Sequence, residues 1–156
     1  MNRSRGVREA GPARISVDVS STVRQPAISA GRVRELVNAT LEAERVRDAL
    51  VSVAFVGTDT ISRLNRDFLG HPGPTDVISF GLARQASPSP VIGDIYICQR
   101  VAARNAKTFE VSLREELARL VVHGTLHVLG YDHPEGNARM SGVMWKKQER
   151  ILDSFR

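Results

Sequence analysis

Residues 123–133 read HGTLHVLGYDH and hold three of the chain's four histidines. On an α-helix, residues four apart are separated by about 40° around the axis, so His123 and His127 share one face. The apolar stripe Leu113, Leu117, Leu120, Val121, Val128 runs beside them, which turns both imidazoles toward the protein. His133 lies six residues beyond His127, and in a continuous helix it would be rotated away by about 240°. The helix must therefore stop. Gly130 is the residue at which a left-handed C-terminal cap lets it stop, and Pro134 disfavours a further helical turn. The chain then turns back through Tyr131 and Asp132 and brings His133 to the other two histidines. Spacing and breaker require one another in a three-histidine site.

Three imidazoles suit Zn2+ or a similar transition metal and leave a fourth position for water or substrate. A pair at i, i+4 alone is often chance, but three in eleven residues with the needed glycine is a specific signal. A structural zinc is more often closed by cysteines, and the one cysteine, Cys98, lies in the apolar run DIYIC, where it reads as a small core residue. The pattern favours a catalytic centre of His123, His127 and His133. Asp132, beside a ligand, suits either orienting an imidazole or moving a proton. Thr75 and Asp76 begin a predicted strand and can reach the site, or simply cap the strand. Tyr131 suits stacking on a base, or packing against the helix end. Met140 and Met144 suit the floor of a metal site or ordinary helix packing, and His71 reads as a solvated loop residue.

The same spacing occurs in metzincin proteases, which carry a glutamate base directly after the first histidine. Here that position is Gly124, which removes the base and costs about 1 kcal/mol of helix propensity relative to alanine. A glycine there points to close packing or to room for a bulky substrate. A metzincin-like zinc protease without its usual base is thus the second reading. A third is a non-catalytic binding module stabilised by zinc, which chelation would unfold.

The rest of the chain supplies a frame for this motif. Its 156 residues suit one domain over 14–156, preceded by a basic flexible tail at 1–13. No run approaches the roughly 18 apolar residues of a spanning helix, and the N-terminus lacks a signal-peptide apolar region. With a lone cysteine, these features predict a cytoplasmic, non-membrane protein. The net charge of +5, mostly arginine, favours polyanionic partners such as nucleic acid. Nothing in the sequence sets an oligomeric state. Periodicity predicts strands at 14–20, 50–57, 75–81 and 93–99. It predicts helices at 29–46, from Thr58 or Asp59 as cap to about Leu69, at 99–108, 112–129 and 137–154. Ser112 and Glu115 form a capping-box pattern, Ile61, Leu64 and Phe68 are expected inward, HPGP is expected to break the second helix, and the SPSP loop is expected to be mobile. The expected fold is α+β: a small four-stranded sheet, mostly parallel or mixed, packed with about five helices. One helix bears the metal, as in metalloproteases. The 14–57 unit should be a parallel crossover, and the strands at 75–81 and 93–99 an antiparallel pair.

HGTLHVLGYDH also resembles the H-G-x-L-H-x-x-G-Y-D-H signature of the YbeY family of single-strand endoribonucleases, bacterial rRNA maturation factors. LNRDFLGHPGPTDVISF (64–80) is similar to that family's L-N-x-x-aromatic segment leading into T-D-V-(I/L)-S-F. GDIYI (93–97) is similar to its G-D-I strand, and MWKKQERIL (144–152) to its M-x-x-x-Q-E helix. The resemblance implies a metal-dependent, single-strand-specific endoribonuclease in 16S rRNA 3′-end processing and ribosome quality control. It implies one zinc held by His123, His127 and His133, with rRNA or other single-stranded RNA and the small ribosomal subunit as partners. Two positions depart from the family pattern. Leu69 stands where the family commonly has an RNA-contacting arginine, and Arg119 where it often has a further histidine. Arg119 or Arg66 is therefore expected to supply the phosphate-binding charge.

Overall fold

The computed structural model describes residues 11–82, 89–133 and 142–156. Chain order is β1 Arg14–Ser21, α1 Ala30–Ala43, β2 Asp48–Phe55, α2 Thr58–Leu69, β3 Val77–Gly81, β4 Val91–Ile97, α3 Gln99–Thr108, α4 Leu113–Val128 and α5 Val143–Asp153. The four strands form one sheet in the order β1-β2-β4-β3. β1, β2 and β4 run parallel, and β3 pairs antiparallel with β4 from Val77↔Ile97 to Gly81↔Gly93. The architecture is the expected mixed α+β sheet with five helices.

Each strand's alternation shows which face is covered. β2 buries Ala49, Val51, Val53 and Phe55, and β4 buries Val91, Ile95 and Ile97. Across that face lies α4, which also touches α1, α3 and α5. Its fully enclosed Leu117, Val121, Val122 and Leu126 each stabilise by about 1.5–3 kcal/mol through burial. This anchoring fixes where α4 sits, and hence where its histidines point.

Close approach needs small residues. A β-carbon at Gly124 would lie 2.7 Å from Ile95 Cγ2 and 3.1 Å from Ser79 Oγ, and one at Gly93 would overlap Val128. The Ser79 hydroxyl also donates to the Gly124 carbonyl at 3.1 Å. The glycine after the first histidine is thus a packing requirement between α4 and the β3–β4 pair. A glutamate side chain has no room there.

Several boundaries differ from expectation. α2 is capped by Gly57, with no side-chain bond from Thr58 or Asp59, and it ends at Gly70, φ +67°, before HPGP is reached. Phe68 is 67% exposed rather than inward, and its ring meets Phe80 edge-on at 5.2 Å. Asn65 is the buried residue instead, and its amide donates to the Gly73 carbonyl at 2.9 Å, holding the turn that leads to β3. β3 begins at Val77 and β4 spans Val91–Ile97, so Thr75, Asp76 and Cys98 flank the strands, joined by Cys98 N–H donating to the Asp76 carbonyl at 2.8 Å. The Ser112 hydroxyl accepts from Glu115 N–H as a cap, while the Glu115 carboxylate pairs with Arg156. Met140, Pro134, most of the N-terminal tail, the start of the SPSP loop and positions 137–141 of the last predicted helix lie outside the described residues.

Gly124→Ala separates helix propensity from packing. Propensity alone raises stability by about 1 kcal/mol, whereas overpacking against Ile95 lowers it by about 1–3 kcal/mol. A lowered melting temperature is expected; a raised one would show that α4 is not seated this closely on the sheet.

Candidate metal centre

The histidines occupy the last turns of α4 and the segment just after it. The helix closes with a two-bond Schellman arrangement: Gly130 N–H donates to the His127 carbonyl at 2.9 Å, and Tyr131 N–H to the Leu126 carbonyl at 3.1 Å. Gly130 has φ +97°, a conformation open to glycine. The chain then doubles back, as the histidine spacing requires. The ring centroids of His123, His127 and His133 lie 4.6, 5.0 and 5.1 Å apart, and one ligand atom from each falls within 4.8 Å of the others.

The hydrogen bonds of the two helix histidines set their tautomers. His127 Nδ1 lies 2.8 Å from the Tyr131 carbonyl, which only accepts, so Nδ1 carries the proton. His123 Nδ1 lies 2.8 Å from Gln148 Oε1. The Gln148 amide nitrogen faces the Glu149 carboxylate at 3.3 Å, which leaves its oxygen for His123. Both Nε2 atoms are then bare acceptors, facing one another at 3.0 Å. Two lone pairs at that distance repel unless a cation lies between them. Burial, the largest influence on His127, pushes its pKa below the usual imidazole range; the Tyr131 bond and the Asp132 charge oppose this and His133 adds to it. A proton is therefore a poor bridge at neutral pH, and a metal ion suits the donor set.

The triad lies in the wall of a cavity of about 480 Å³. Val77, Phe109, Val111, Leu120, Met144 and Trp145 supply its apolar lining, and Thr75, Asp76, Ser79, Glu116, Arg119 and Gln148 its polar groups. Thr75 and Asp76 thus reach the site. Asp76 also has structural bonds, accepting from Val77 N–H at 2.8 Å and from the Asn105 amide at 3.1 Å. Arg119 lines the cavity beside His123, but its guanidinium is bonded to Glu116 and Glu149, both at 3.1 Å, and lies 5.8 Å over the Trp145 ring. Arg66 is an exposed residue of α2 paired with Asp67, and it is not part of the lining. Tyr131 hydrogen-bonds Glu44 at 2.7 Å and has Lys147 over its ring, so it packs at the helix end. Asp132 is exposed and outside the cavity lining. Gln148 had no role in the sequence reading. Its signal is there in α5, where Met144, Gln148 and Ile151 share the buried stripe and a fully enclosed amide breaks an apolar pattern.

The sequence profile described as Endoribonuclease YbeY matches residues 18–156. The chain belongs to the YbeY endoribonuclease family. A YbeY endoribonuclease from Bacillus subtilis is 36% identical over 149 residues, covering 89% of this chain and 92% of its own. One from Geobacillus kaustophilus is 43% identical over 122 residues, covering 72% and 77%. A solution structure of a Thermotoga maritima protein superposes with a TM-score of 0.57 at 27% identity, covering 88% of this chain and 87% of that one. Two of the segments similar to YbeY motifs meet at the histidines: Thr75, Asp76, Val77 and Ser79 of 64–80 and Met144, Trp145 and Gln148 of 144–152 line the same cavity as the triad, while Ile95 of 93–97 packs beneath Gly124.

The lowered His127 pKa has a direct consequence for the metal-free fold. A depressed folded value means that the neutral ring's stabilisation is fully present above the unfolded value, about 6.5, and is lost as pH falls through the folded value. Thermal melts of chelator-stripped protein are expected to show a lower melting temperature at pH 5 than at pH 7.5. His127→Gln should flatten part of that difference, and identical slopes for variant and parent would contradict a half-buried, neutral His127.

Proposed function

We propose that the chain is a zinc-dependent endoribonuclease that cuts single-stranded RNA. We place its action in 16S rRNA 3′-end processing on the small ribosomal subunit, in the cytoplasm. The observation that carries this reading is the juxtaposition of a three-histidine donor set with a cavity of about 480 Å³, in a chain of the YbeY family. His123, His127 and His133 hold the ion. When bound, zinc supplies Lewis acidity at a phosphoryl oxygen and can lower the pKa of a coordinated water to about 7. The protein's part is positional: the Tyr131 carbonyl and the Gln148 amide keep two Nε2 atoms aimed inward, and the burial that keeps His127 neutral keeps it a ligand.

The cavity supports the single-strand reading. Its volume lies within the range of small-ligand sites, about 300–1,000 Å³, and Phe109 and Trp145 offer rings to an unstacked base. Bases within a duplex are stacked and paired, so they reach such a site only by being extruded, at a cost of a few kcal/mol. The charge of Arg119 is shared with Glu116 and Glu149, so we assign it to shaping the wall and holding Trp145. Arg66, exposed on α2, is the arginine left to meet a phosphate outside the cavity. Asp132 acts through its charge on His127. A metzincin-type protease is disfavoured by geometry, since Ile95 and Ser79 occupy the space of a side chain at position 124.

Incubation of zinc-loaded protein and of His127→Ala with single-stranded RNA, duplex RNA and casein tests the proposal. Cleavage of the single strand alone, abolished by chelation and by the substitution, is expected. Cleavage of casein without RNA cleavage would overturn it.

A further inference from the structure

Helix α5 carries Lys147, Gln148 and Glu149 in succession, and each turns toward a different neighbour of the histidines. Consecutive helical residues are about 100° apart, so three of them sweep roughly 200° of the helix surface. Gln148, fully buried, faces α4 and accepts from His123 Nδ1 at 2.8 Å. Glu149 takes the Gln148 amide N–H at 3.3 Å and the Arg119 guanidinium at 3.1 Å, with Arg156 at 3.5 Å on its other oxygen. Lys147 pairs with Glu44 at 2.9 Å, and the same carboxylate accepts from the Tyr131 hydroxyl at 2.7 Å. Tyr131 is also the residue whose carbonyl holds His127 Nδ1 at 2.8 Å. Two of the three histidines are therefore oriented by hydrogen-bond relays that both lead to α5.

We propose that Lys147, Gln148 and Glu149 are positioning residues for the metal centre, with Gln148 setting the tautomer and direction of His123 and the Lys147–Glu44–Tyr131 clamp doing the same for His127. This rests on the metal-site reading above, and not on the identity of the substrate. In the Gln148 relay, amide orientation is the decisive element. The Glu149 carboxylate can only accept, so the Gln148 nitrogen must face it and the oxygen must face His123. His123 is then protonated on Nδ1, with its Nε2 lone pair directed at the ion. The Glu44 carboxyl shows that the second relay is electrostatically tight. Burial alone would raise its pKa, but the hydrogen bonds from Lys147 and Tyr131 and the attraction of Lys147 outweigh this and hold it below the usual range.

The test is zinc affinity, measured by competition with a chromogenic chelator, together with the visible absorption of the Co2+-substituted protein. Gln148→Met fills the same space without a hydrogen bond and should weaken zinc binding about 10–100-fold, as losses of ligand-orienting partners do. The double variant Gln148→Glu/Glu149→Gln keeps an acceptor for His123 Nδ1 and a donor amide facing it from position 149, and should bind within a few-fold of the parent. Lys147→Met, at a partly exposed position, should cost several-fold and shift the Co2+ bands. Gln148→Asn, which retracts the amide from His123, serves if the methionine variant does not fold, and should show the same loss. Parent-like affinity and Co2+ spectra for Gln148→Met or Gln148→Asn would overturn the proposal, as would equal losses in Gln148→Met and the Gln148→Glu/Glu149→Gln double variant. A parent protein that bound no zinc would instead overturn the metal-site reading, and the proposal with it.

Discussion

Helix α4 is seated on the β3–β4 pair at Gly124 and Val128 and released at one residue, Gly130, where φ reaches +97°. Two hydrogen bonds at 2.9 and 3.1 Å close its last turn and send the chain back over its own end. Without that reversal His123 and His127 would lack a third imidazole. With it, His133 joins them, and the Tyr131 carbonyl arrives in position to hold His127. The site is the geometric consequence of a helix that is tightly seated and then abruptly stopped. Burial of Leu117, Val121, Val122 and Leu126 provides the seating.

Much of this was legible in the residues. Period-2 and period-3.6 patterns located the strands and helices of the described residues, because one-sided burial writes itself into the spacing of apolar residues. The histidine spacing with Gly130 specified the helix end, since only one local geometry brings the three rings together. Other features depended on tertiary contacts that no local pattern encodes. Phe68 matches the α2 stripe, yet it is exposed, and Asn65 takes the inward place to hold the Gly73 turn. Gly124 looked like a missing catalytic residue, although it is the point where α4 and the Ile95 and Ser79 side chains meet. The roles of Arg119 and Tyr131 were decided by partners thirty to ninety residues away in sequence, Glu149 and Glu44.

Charge in the cavity wall is arranged against the simplest expectation for a basic chain. Arg119 lines the cavity with the histidines, but Glu116 and Glu149 bracket it, so the wall holds a paired arginine rather than a free cation. The cationic excess of the chain then acts elsewhere on its surface, where it can attract a polyanion at long range. Beside the triad, apolar and aromatic groups predominate, which suits the uncharged part of a nucleotide better than its phosphate. On the proposed reading the phosphate's complement is the bound ion. That proposed division, with base against rings and phosphate at metal, rests on which side chains line the cavity and which are already paired.

The coordination of the bound metal tests the central claim most directly. X-ray absorption at the zinc edge of the loaded protein should show one zinc per chain with three imidazole ligands and a fourth light-atom ligand at about 2.0–2.1 Å, and no sulfur scattering. Loss of one imidazole in His133→Ala would show that the reversal at Gly130 delivers the third ligand. Sulfur in the coordination shell, or an unchanged imidazole count in His133→Ala, would contradict a centre built from His123, His127 and His133.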